Sequence, residues 1–131
     1  MCIVMQWISE NQNVIDEIIE YVENNYSDNI TLEDLSEKYY ISNSYLSKIF
    51  KSKTGYTFKK YLYTVRINNA KEIFKASGGE SINEVSYRTG FSDLSYFYKV
   101  FHKVEGITPG DYIKAFVNNQ QQSMDCLVIN S

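Results

Sequence analysis

Residues 81–101, with the sequence SINEVSYRTGFSDLSYFYKVF, carry the signals of two short helices joined by a tight turn. Ser81 and Glu84 have the spacing of a capping box, in which a hydroxyl and a carboxylate accept hydrogen bonds from backbone N–H groups that a helix start leaves free. Gly90 can adopt the left-handed conformation that ends the first helix. Ser92 is predicted to cap the second helix, because a serine oxygen accepts hydrogen bonds well at that position.

A third helix is predicted just after this stretch. Phe91 is an apolar residue that brings the turn into the core, and Thr108-Pro109 opens the third helix. Proline at the first helical position loses nothing by lacking an N–H group. Two short helices joined by a tight glycine turn form a helix-turn-helix unit, whose second helix, the recognition helix, can enter the major groove of DNA.

The same pattern occurs once more, earlier in the chain. Three pairs of residues resemble the pairs that lie fifty positions later: 31–32 resembles 81–82, 35–36 resembles 85–86, and 41–42 resembles 91–92. Four residues recur unchanged fifty-one positions later, namely Tyr45, Lys48, Phe50 and Gly55. The chain is therefore predicted to carry two helix-turn-helix units in tandem, with one residue inserted at the start of the second recognition helix.

Further helix signals lie before, within and between the two units. Apolar residues recur every four positions between residues 11 and 25, which predicts an amphipathic helix. Ser42 is predicted to cap the first recognition helix and Gly55 to end it. A long helix is predicted from Thr57 to the region of Lys75, about nineteen residues or roughly 28 Å in length. Its predicted buried positions include Phe58, Leu62, Val65 and Ile73.

Composition favours one small domain, or two very small ones that share a helix. With 131 residues, of which 44% are hydrophobic, the chain can build a core. It has no run of eighteen apolar residues and no basic signal-peptide start, so we expect a soluble, cytoplasmic protein. Cys2 and Cys126 lack metal-ligand spacing, and we expect no metal, no cofactor and no catalytic role.

Charge is segregated along the chain, although the total is only −3. Residues 1–41 have nine acidic groups and one lysine, and residues 104–131 have three acidic groups and one lysine. Residues 42–103 have eleven Lys or Arg and four acidic groups, a net charge of +7. A basic middle part suggests that one face meets a polyanion, although chance segregation of surface charge is an equally simple explanation.

Spaced motifs throughout the chain carry a resemblance to a known family. They are YLSKIFK at residues 45–51, Thr54-Gly55, Tyr61-Leu62, Arg66-Ile67, Ala70, GFSD at residues 90–93, Tyr96-Phe97, Phe101, Gly106 and Thr108-Pro109. Together they resemble the DNA-binding domain of the AraC/XylS family of bacterial transcription regulators. The resemblance implies an all-α fold of about seven helices, with two tandem helix-turn-helix units joined by a long linker helix. It also implies double-stranded promoter DNA and RNA polymerase as partners, and usually activation of transcription.

The resemblance covers roughly residues 11–116 and sets the expected organisation. The expected parts are an N-terminal extension or linker at 1–10, the first unit at 11–56, the linker helix at 57–77, the second unit at 78–116 and a polar C-terminal tail at 117–131. Full-length members usually carry a sensor domain, for which this chain has no room. We therefore expect either a stand-alone regulator or an output domain whose sensor or receiver domain is missing.

Five positions depart from the family pattern. Tyr40 stands where the first turn usually has glycine, so this turn is expected to be strained or differently shaped. Ser36 and Ser86 replace a small alanine, which is a minor change. Ile113 replaces a usual arginine and His102 a usual lysine, which weakens the phosphate contacts that the family would make at these positions.

Each recognition helix has an apolar face predicted to point inward and an opposite face predicted to contact DNA. The residues predicted to contact bases are Asn43, Ser44, Ser47 and Lys48 on the first helix, and Leu94, Ser95, Tyr98 and Lys99 on the second. The residues predicted to contact phosphates are Lys51, Lys53, His102 and Lys103. Lysine can hydrogen-bond guanine, and leucine or tyrosine can meet a thymine methyl group. The simpler alternative is that both faces are only solvated.

Two other classes of function are compatible with parts of the sequence. A helical adaptor that binds protein is the first, because the acidic N-terminal part and Tyr40 leave room for it. A DNA-repair methyltransferase is the second, but its alkyl-acceptor zinc site needs a cysteine cluster that two distant cysteines do not supply. Arg66 is expected to tie the linker helix to neighbouring backbone, and His102 has no partner in its motif for catalysis or metal binding.

Overall fold

The computed structural model describes residues 2–77 and 81–117, and these residues form helices without any strand. The α-helices are α1 (Cys2–Asn25), α2 (Leu32–Tyr39), α3 (Asn43–Thr54), α4 (Phe58–Ser77), α5 (Ile82–Arg88), α6 (Leu94–Glu105) and α7 (Pro109–Tyr112), and a π-helical segment follows at Ile113–Val117. The predicted all-α fold is confirmed. The tail predicted at 117–131 lies outside the described residues from residue 118 onward.

Helix α1 is longer than the hydrophobic periodicity predicted. It begins at Cys2, whereas the regular apolar pattern begins only after residue 11. Extending an existing helix adds one hydrogen bond for each residue fixed and needs no new nucleus. A helix can therefore continue through residues whose sequence has no amphipathic signal.

The chain folds as two compact units that divide within α4, between Val65 and Arg66. The N-terminal unit contains α1, α2, α3 and the first part of α4, and the C-terminal unit contains the rest of the described chain. Thr57 caps α4 as expected for the start of the predicted linker helix, because its hydroxyl accepts the N–H of Lys60 at 3.2 Å.

The core of the N-terminal unit lies where α1, α2, α3 and the start of α4 meet. Its buried side chains are Ile15, Ile18, Val22, Ile30, Leu35, Leu46, Phe50, Phe58 and Leu62. The Phe50 ring meets the rings of Phe58 and Tyr61 edge-on, at centroid distances of 5.6 and 5.4 Å. Each large side chain buried in this way contributes about 1.5–3 kcal/mol, so this core determines which face of α3 remains outside.

The core of the C-terminal unit is mainly aromatic. Its buried apolar side chains are Ile67, Ala70, Phe74, Val85, Phe91, Phe97, Val100, Phe101 and Tyr112. Phe101 is central, with ring centroids 5.7 Å from both Phe97 and Tyr112 and 6.3 Å from Phe74. Of the positions predicted to be buried on α4, Phe58 and Leu62 are buried, whereas Val65 and Ile73 are only half-buried. Phe74, next to Ile73, is fully buried.

Most predicted helix caps are confirmed, and two are wrong. Ser42 and Thr108 each accept a backbone hydrogen bond as N-caps. The cap of α6 is Asp93 and not Ser92, because the helix begins at Leu94 and the Asp93 carboxylate reaches the N–H of Ser95 at 3.0 Å. Ser81 precedes α5 as predicted, but its side chain makes no capping hydrogen bond. Its backbone, at φ −48° and ψ 127°, departs from the extended geometry of the other N-caps.

Candidate nucleic-acid interface

Helix α3 presents one polar face to solvent. The Ser42 hydroxyl accepts the N–H of Tyr45 at 3.2 Å, and Gly55 ends the helix with φ 82°. Leu46 and Phe50 are fully buried and fix the rotation of the helix. The predicted contact residues on the opposite side are all exposed, namely Asn43, Ser44, Ser47, Lys48 and Lys51. The predicted contact residues of the first recognition helix thus lie together on one accessible face of α3.

Helix α6 has the same arrangement in the C-terminal unit. Asp93 caps its start, Gly106 ends it with φ 83°, and the fully buried Phe97 and Phe101 orient it. The predicted contact residues are again all exposed, namely Leu94, Ser95, Tyr98, Lys99, His102 and Lys103. Two apolar side chains in this set, Leu94 at 37% and Tyr98 at 38% exposure, offer the kind of surface that a thymine methyl group can contact.

Lys53 differs from the other predicted phosphate contacts. Its ammonium nitrogen lies 2.9 Å from Oδ1 of Asp16 on α1, so the side chain already has an anionic partner within the protein. Both side chains remain partly exposed, at 33% and 61%. A phosphate at this position would therefore have to compete with a carboxylate, which the sequence pattern did not indicate.

A family model described as a helix-turn-helix domain matches residues 35–115, more than half of the chain. The chain belongs to the AraC-type helix-turn-helix family. The match includes both exposed faces described above, and it confirms the resemblance to this family.

Solved structures and curated relatives agree with this AraC-type assignment. The C-terminal domain of the two-component response regulator yesN from Fusobacterium nucleatum is 36% identical, with a TM-score of 0.67, and the match covers 78% of this chain and 96% of that domain. The DNA-binding domain of AdpA, solved with a target DNA, shares the fold at 24% identity and a TM-score of 0.76, over 82% of this chain and 96% of that one.

A curated relative is an uncharacterized HTH-type transcriptional regulator in the cgkA 5' region of Pseudoalteromonas carrageenovora. It is 33% identical over 106 residues, which are 81% of this chain and 62% of the relative. Two other curated regulators, from Escherichia coli and Bacillus subtilis, are matched over 39% and 13% of their lengths. The AraC-type chain described here thus spans less than two thirds of the length of these relatives.

The turn between α2 and α3 contains a left-handed residue, Tyr40, where the resemblance to the AraC-type family led us to expect glycine. Tyr40 has φ 56° and ψ 40°, and its N–H bonds the carbonyl of Glu37 at 3.4 Å. In the C-terminal unit the corresponding Gly90 has φ 105°. The sequence therefore indicated the strained turn correctly. It did not single out Tyr40 as a site residue, although its side chain is 96% exposed.

Ser36 and Ser86, at positions where the resemblance led us to expect alanine, are accommodated inside their helices. The Ser36 hydroxyl donates to the carbonyl of Glu33 at 2.7 Å, and that of Ser86 to the carbonyl of Asn83 at 2.8 Å. Ser86 is buried, so this bond satisfies a hydroxyl that water does not reach. The substitutions leave the two helix-turn-helix units intact.

Arg66 belongs to the core of the C-terminal unit. It is only 8% exposed, and its guanidinium lies over the Phe91 ring at 5.7 Å from the centroid. Such a cation–π contact stabilises a desolvated guanidinium. Arg66 therefore packs against the turn before α6 and is not part of either exposed face.

Carboxylates of α1 are also engaged within the N-terminal unit. The Tyr61 hydroxyl donates to Oε1 of Glu23 at 3.4 Å. Burial, reinforced by Glu17 and Glu23 respectively, raises the pKa of Tyr39 and of Tyr61. The acidic surface of α1 is thus partly occupied by donors from the same unit.

The described residues contain neither a cluster of metal-ligand side chains nor a helix that could span a membrane. In the described part of the chain, no three His, Cys, Asp or Glu side chains are grouped so that they could hold a metal ion. Within residues 2–77 and 81–117, no helix has both the length and the apolar character needed to cross a membrane. His102 is exposed on the last turn of α6, among the predicted phosphate contacts.

Proposed function

We propose that this chain is the sequence-specific DNA-binding module of a bacterial transcription regulator, and that it binds double-stranded promoter DNA. One observation carries the proposal. Helices α3 and α6 each bury an apolar face and expose a polar, lysine-bearing face, and the two faces correspond at an offset of fifty-one residues. The fold shared with the DNA-binding domain of AdpA supports the same function.

The roles of the exposed residues follow from groove geometry. A recognition helix reaches base edges with its N-terminal residues, which here are Asn43 and Ser44 on α3 and Leu94 and Ser95 on α6. Four more exposed residues would also face the groove one turn further along, namely Ser47, Lys48, Tyr98 and Lys99. Phosphate contacts position the protein on the duplex and carry no sequence information. We assign that role to Lys51, Lys53, His102 and Lys103.

Regulation of transcription requires partners beyond DNA. Because the chain spans only part of its curated relatives, we propose that it acts together with a sensor or receiver domain in a longer protein. The similarity to an output domain of a response regulator supports this arrangement. We propose RNA polymerase as the partner through which it activates transcription.

The first experiment is equilibrium binding to DNA at increasing salt concentration, after selection of a preferred site from random sequences. Each neutralised phosphate contributes about −0.9 to the slope of log affinity against log salt. With about four to eight phosphate contacts, a slope of about −4 to −7 is expected. A slope near zero, with no enriched sequence, would contradict the proposal and favour a protein-binding adaptor with the same fold.

A further inference from the structure

Tyr40 occupies an unfavourable backbone conformation. Among the described residues other than glycine, it alone has a positive φ, of 56°. A side chain at this φ brings Cβ close to the following carbonyl oxygen, so glycine is the residue that adopts it without cost. The turn itself is held by backbone hydrogen bonds, including that of the Ile41 N–H to the Ser36 carbonyl at 3.1 Å. Glycine would form the same backbone bonds.

Among the described residues, no burial of the Tyr40 ring offsets this strain. The Tyr40 side chain is 96% exposed, so its ring gains almost no free energy from burial. Tyr39, the preceding residue, is half-buried and packs against the core of the N-terminal unit, and Ile41 does the same. Strained residues cluster at active sites, at ligand clamps and in switch regions, so an exposed one points to a function outside the core.

The position of Tyr40, close to the start of α3, indicates that the ligand is DNA. It lies two residues before the cap Ser42 and three before Asn43, the first residue of α3. Three residues span at most about 11 Å, which is less than the width of about 12 Å of the major groove. If α3 enters a groove, the Tyr40 ring stands within reach of the sugar–phosphate backbone at the edge of that groove.

We propose that Tyr40 is a DNA-backbone contact of the N-terminal unit, with its phenol hydroxyl donating a hydrogen bond to a phosphate oxygen. The inference rests on the proposed function and deepens it, because none of the contacts assigned above includes the turn. Tyrosine hydroxyls are among the donors that proteins use for DNA phosphates. The contact has no equivalent in the C-terminal unit, where Gly90 occupies the matching position.

Two substitutions separate this role from a structural one. Tyr40→Gly removes the strain and the contact together, so the melting temperature should rise by roughly 2–8 °C while DNA affinity falls. Tyr40→Phe keeps the ring and the backbone and removes only the hydroxyl. Both variants should bind about 2- to 10-fold more weakly, the range expected for loss of one hydrogen bond.

The pattern of the loss identifies a phosphate contact. Affinity should fall equally for the selected site and for random DNA, because phosphates carry no sequence information. The salt slope should stay at the wild-type value, because a neutral phenol releases no counterion. Lys51→Ala, in contrast, should lower the slope by about one. Tyr56→Phe is the matched control, since it removes a tyrosine hydroxyl just beyond the other end of α3 and should leave affinity unchanged.

The outcomes are distinguishable from failure of the proposed function. Wild-type protein that binds DNA with the expected salt dependence, beside Tyr40 variants of unchanged affinity, would overturn the inference and leave the DNA-binding function standing. A loss confined to the selected sequence would also overturn it, because that would indicate a base contact. If the wild-type protein itself shows no salt-dependent binding, the proposed function and this inference fail together.

Discussion

Lys53 illustrates how one side chain can have two possible anionic partners. In the protein its ammonium group lies 2.9 Å from the Asp16 carboxylate, and both groups remain partly exposed. Exposed ion pairs of this kind contribute only about 0.2–1 kcal/mol. A DNA phosphate can therefore displace Asp16, but the free energy of binding must then compensate for the loss of the Lys53–Asp16 ion pair.

Replacement of Asp16 by asparagine should strengthen DNA binding. Asp16→Asn keeps the shape of the side chain and releases the Lys53 charge, so we expect an increase in affinity of about 2- to 5-fold, in line with the strength of an exposed pair. The control is Glu20→Gln, which removes one exposed negative charge from the same helix. Binding titrations at fixed salt should show a larger gain for Asp16→Asn. Equal gains would mean that Lys53 makes no phosphate contact.

Lys99 is expected to behave differently from the lysines that contact phosphates. If its side chain hydrogen-bonds a guanine, Lys99→Ala should weaken binding to the selected site by about 1–3 kcal/mol and relax preference at one base pair. Repeating the selection with the variant would reveal that position. Lys103→Ala, on the same helix, should weaken binding to all sequences about equally and lower the salt slope by about one. Similar behaviour of the two variants would show that the assignment of the α6 face is wrong.

At the level of elements, a half-buried ion pair joins α4 to α6 inside the C-terminal unit. The Lys71 ammonium lies 2.8 Å from Oε1 of Glu105, and the two side chains are 23% and 20% exposed. Lys71 also lies over the Tyr112 ring, at 5.8 Å from the centroid. Loss of one partner would leave the other charge in a poorly hydrated place, which is more costly than breaking an exposed pair.

Two glutamate substitutions test whether the half-buried ion pair contributes more to stability than an exposed one. Glu105→Gln should lower the free energy of unfolding by about 1–3 kcal/mol, because Lys71 then lacks a counter-charge. Glu72→Gln should change it by less than about 0.5 kcal/mol, because Glu72 is 74% exposed and lies 3.7 Å from Lys75. Urea denaturation of both variants provides the measurement. Equal effects would show that the α4–α6 pair is no stronger than a surface contact.

The helices and the exposed faces could be predicted from the sequence because both depend on local periodicity. Buried Phe50 and Phe101 set the rotation of α3 and α6, and their spacing with the other apolar residues shows which side remains polar. Ser92 was a less reliable signal, because an adjacent aspartate can cap the same helix one residue later. The partner of Lys53 could not be predicted, since Asp16 is distant in sequence and only the packing of α1 against α3 brings the two together.

For the whole molecule, the arrangement of contacts on DNA follows from two different recognition helices in one chain. The units differ in sequence, so a single protein should bind an asymmetric site. Helix α4 has 20 residues and is therefore about 30 Å long. If both recognition helices enter successive major grooves on one face of the duplex, the contacted patches should be about ten base pairs apart.

Insertion of five base pairs between the two patches provides the test. Half a helical turn places one patch on the opposite face of the duplex, so only one recognition helix can remain bound and affinity should fall sharply. Footprinting should show protection of both patches on the native site and of one on the expanded site. Equal affinity for the two sites would mean that only one of the two helices enters a groove.

The internal pairing of basic side chains also affects how the protein would be distributed over a chromosome. Lys53 and Lys71 form ion pairs with carboxylates of their own chain, and Arg66 lies over an aromatic ring. Three of the thirteen Lys and Arg side chains are thus engaged within the protein, whose net charge is −3. Because binding to DNA of arbitrary sequence depends on counterion release, each engaged cation should lower the number of copies held by the millions of competing sites in a genome. Occupancy of a promoter would then depend on the base contacts of α3 and α6 rather than on a large excess of protein.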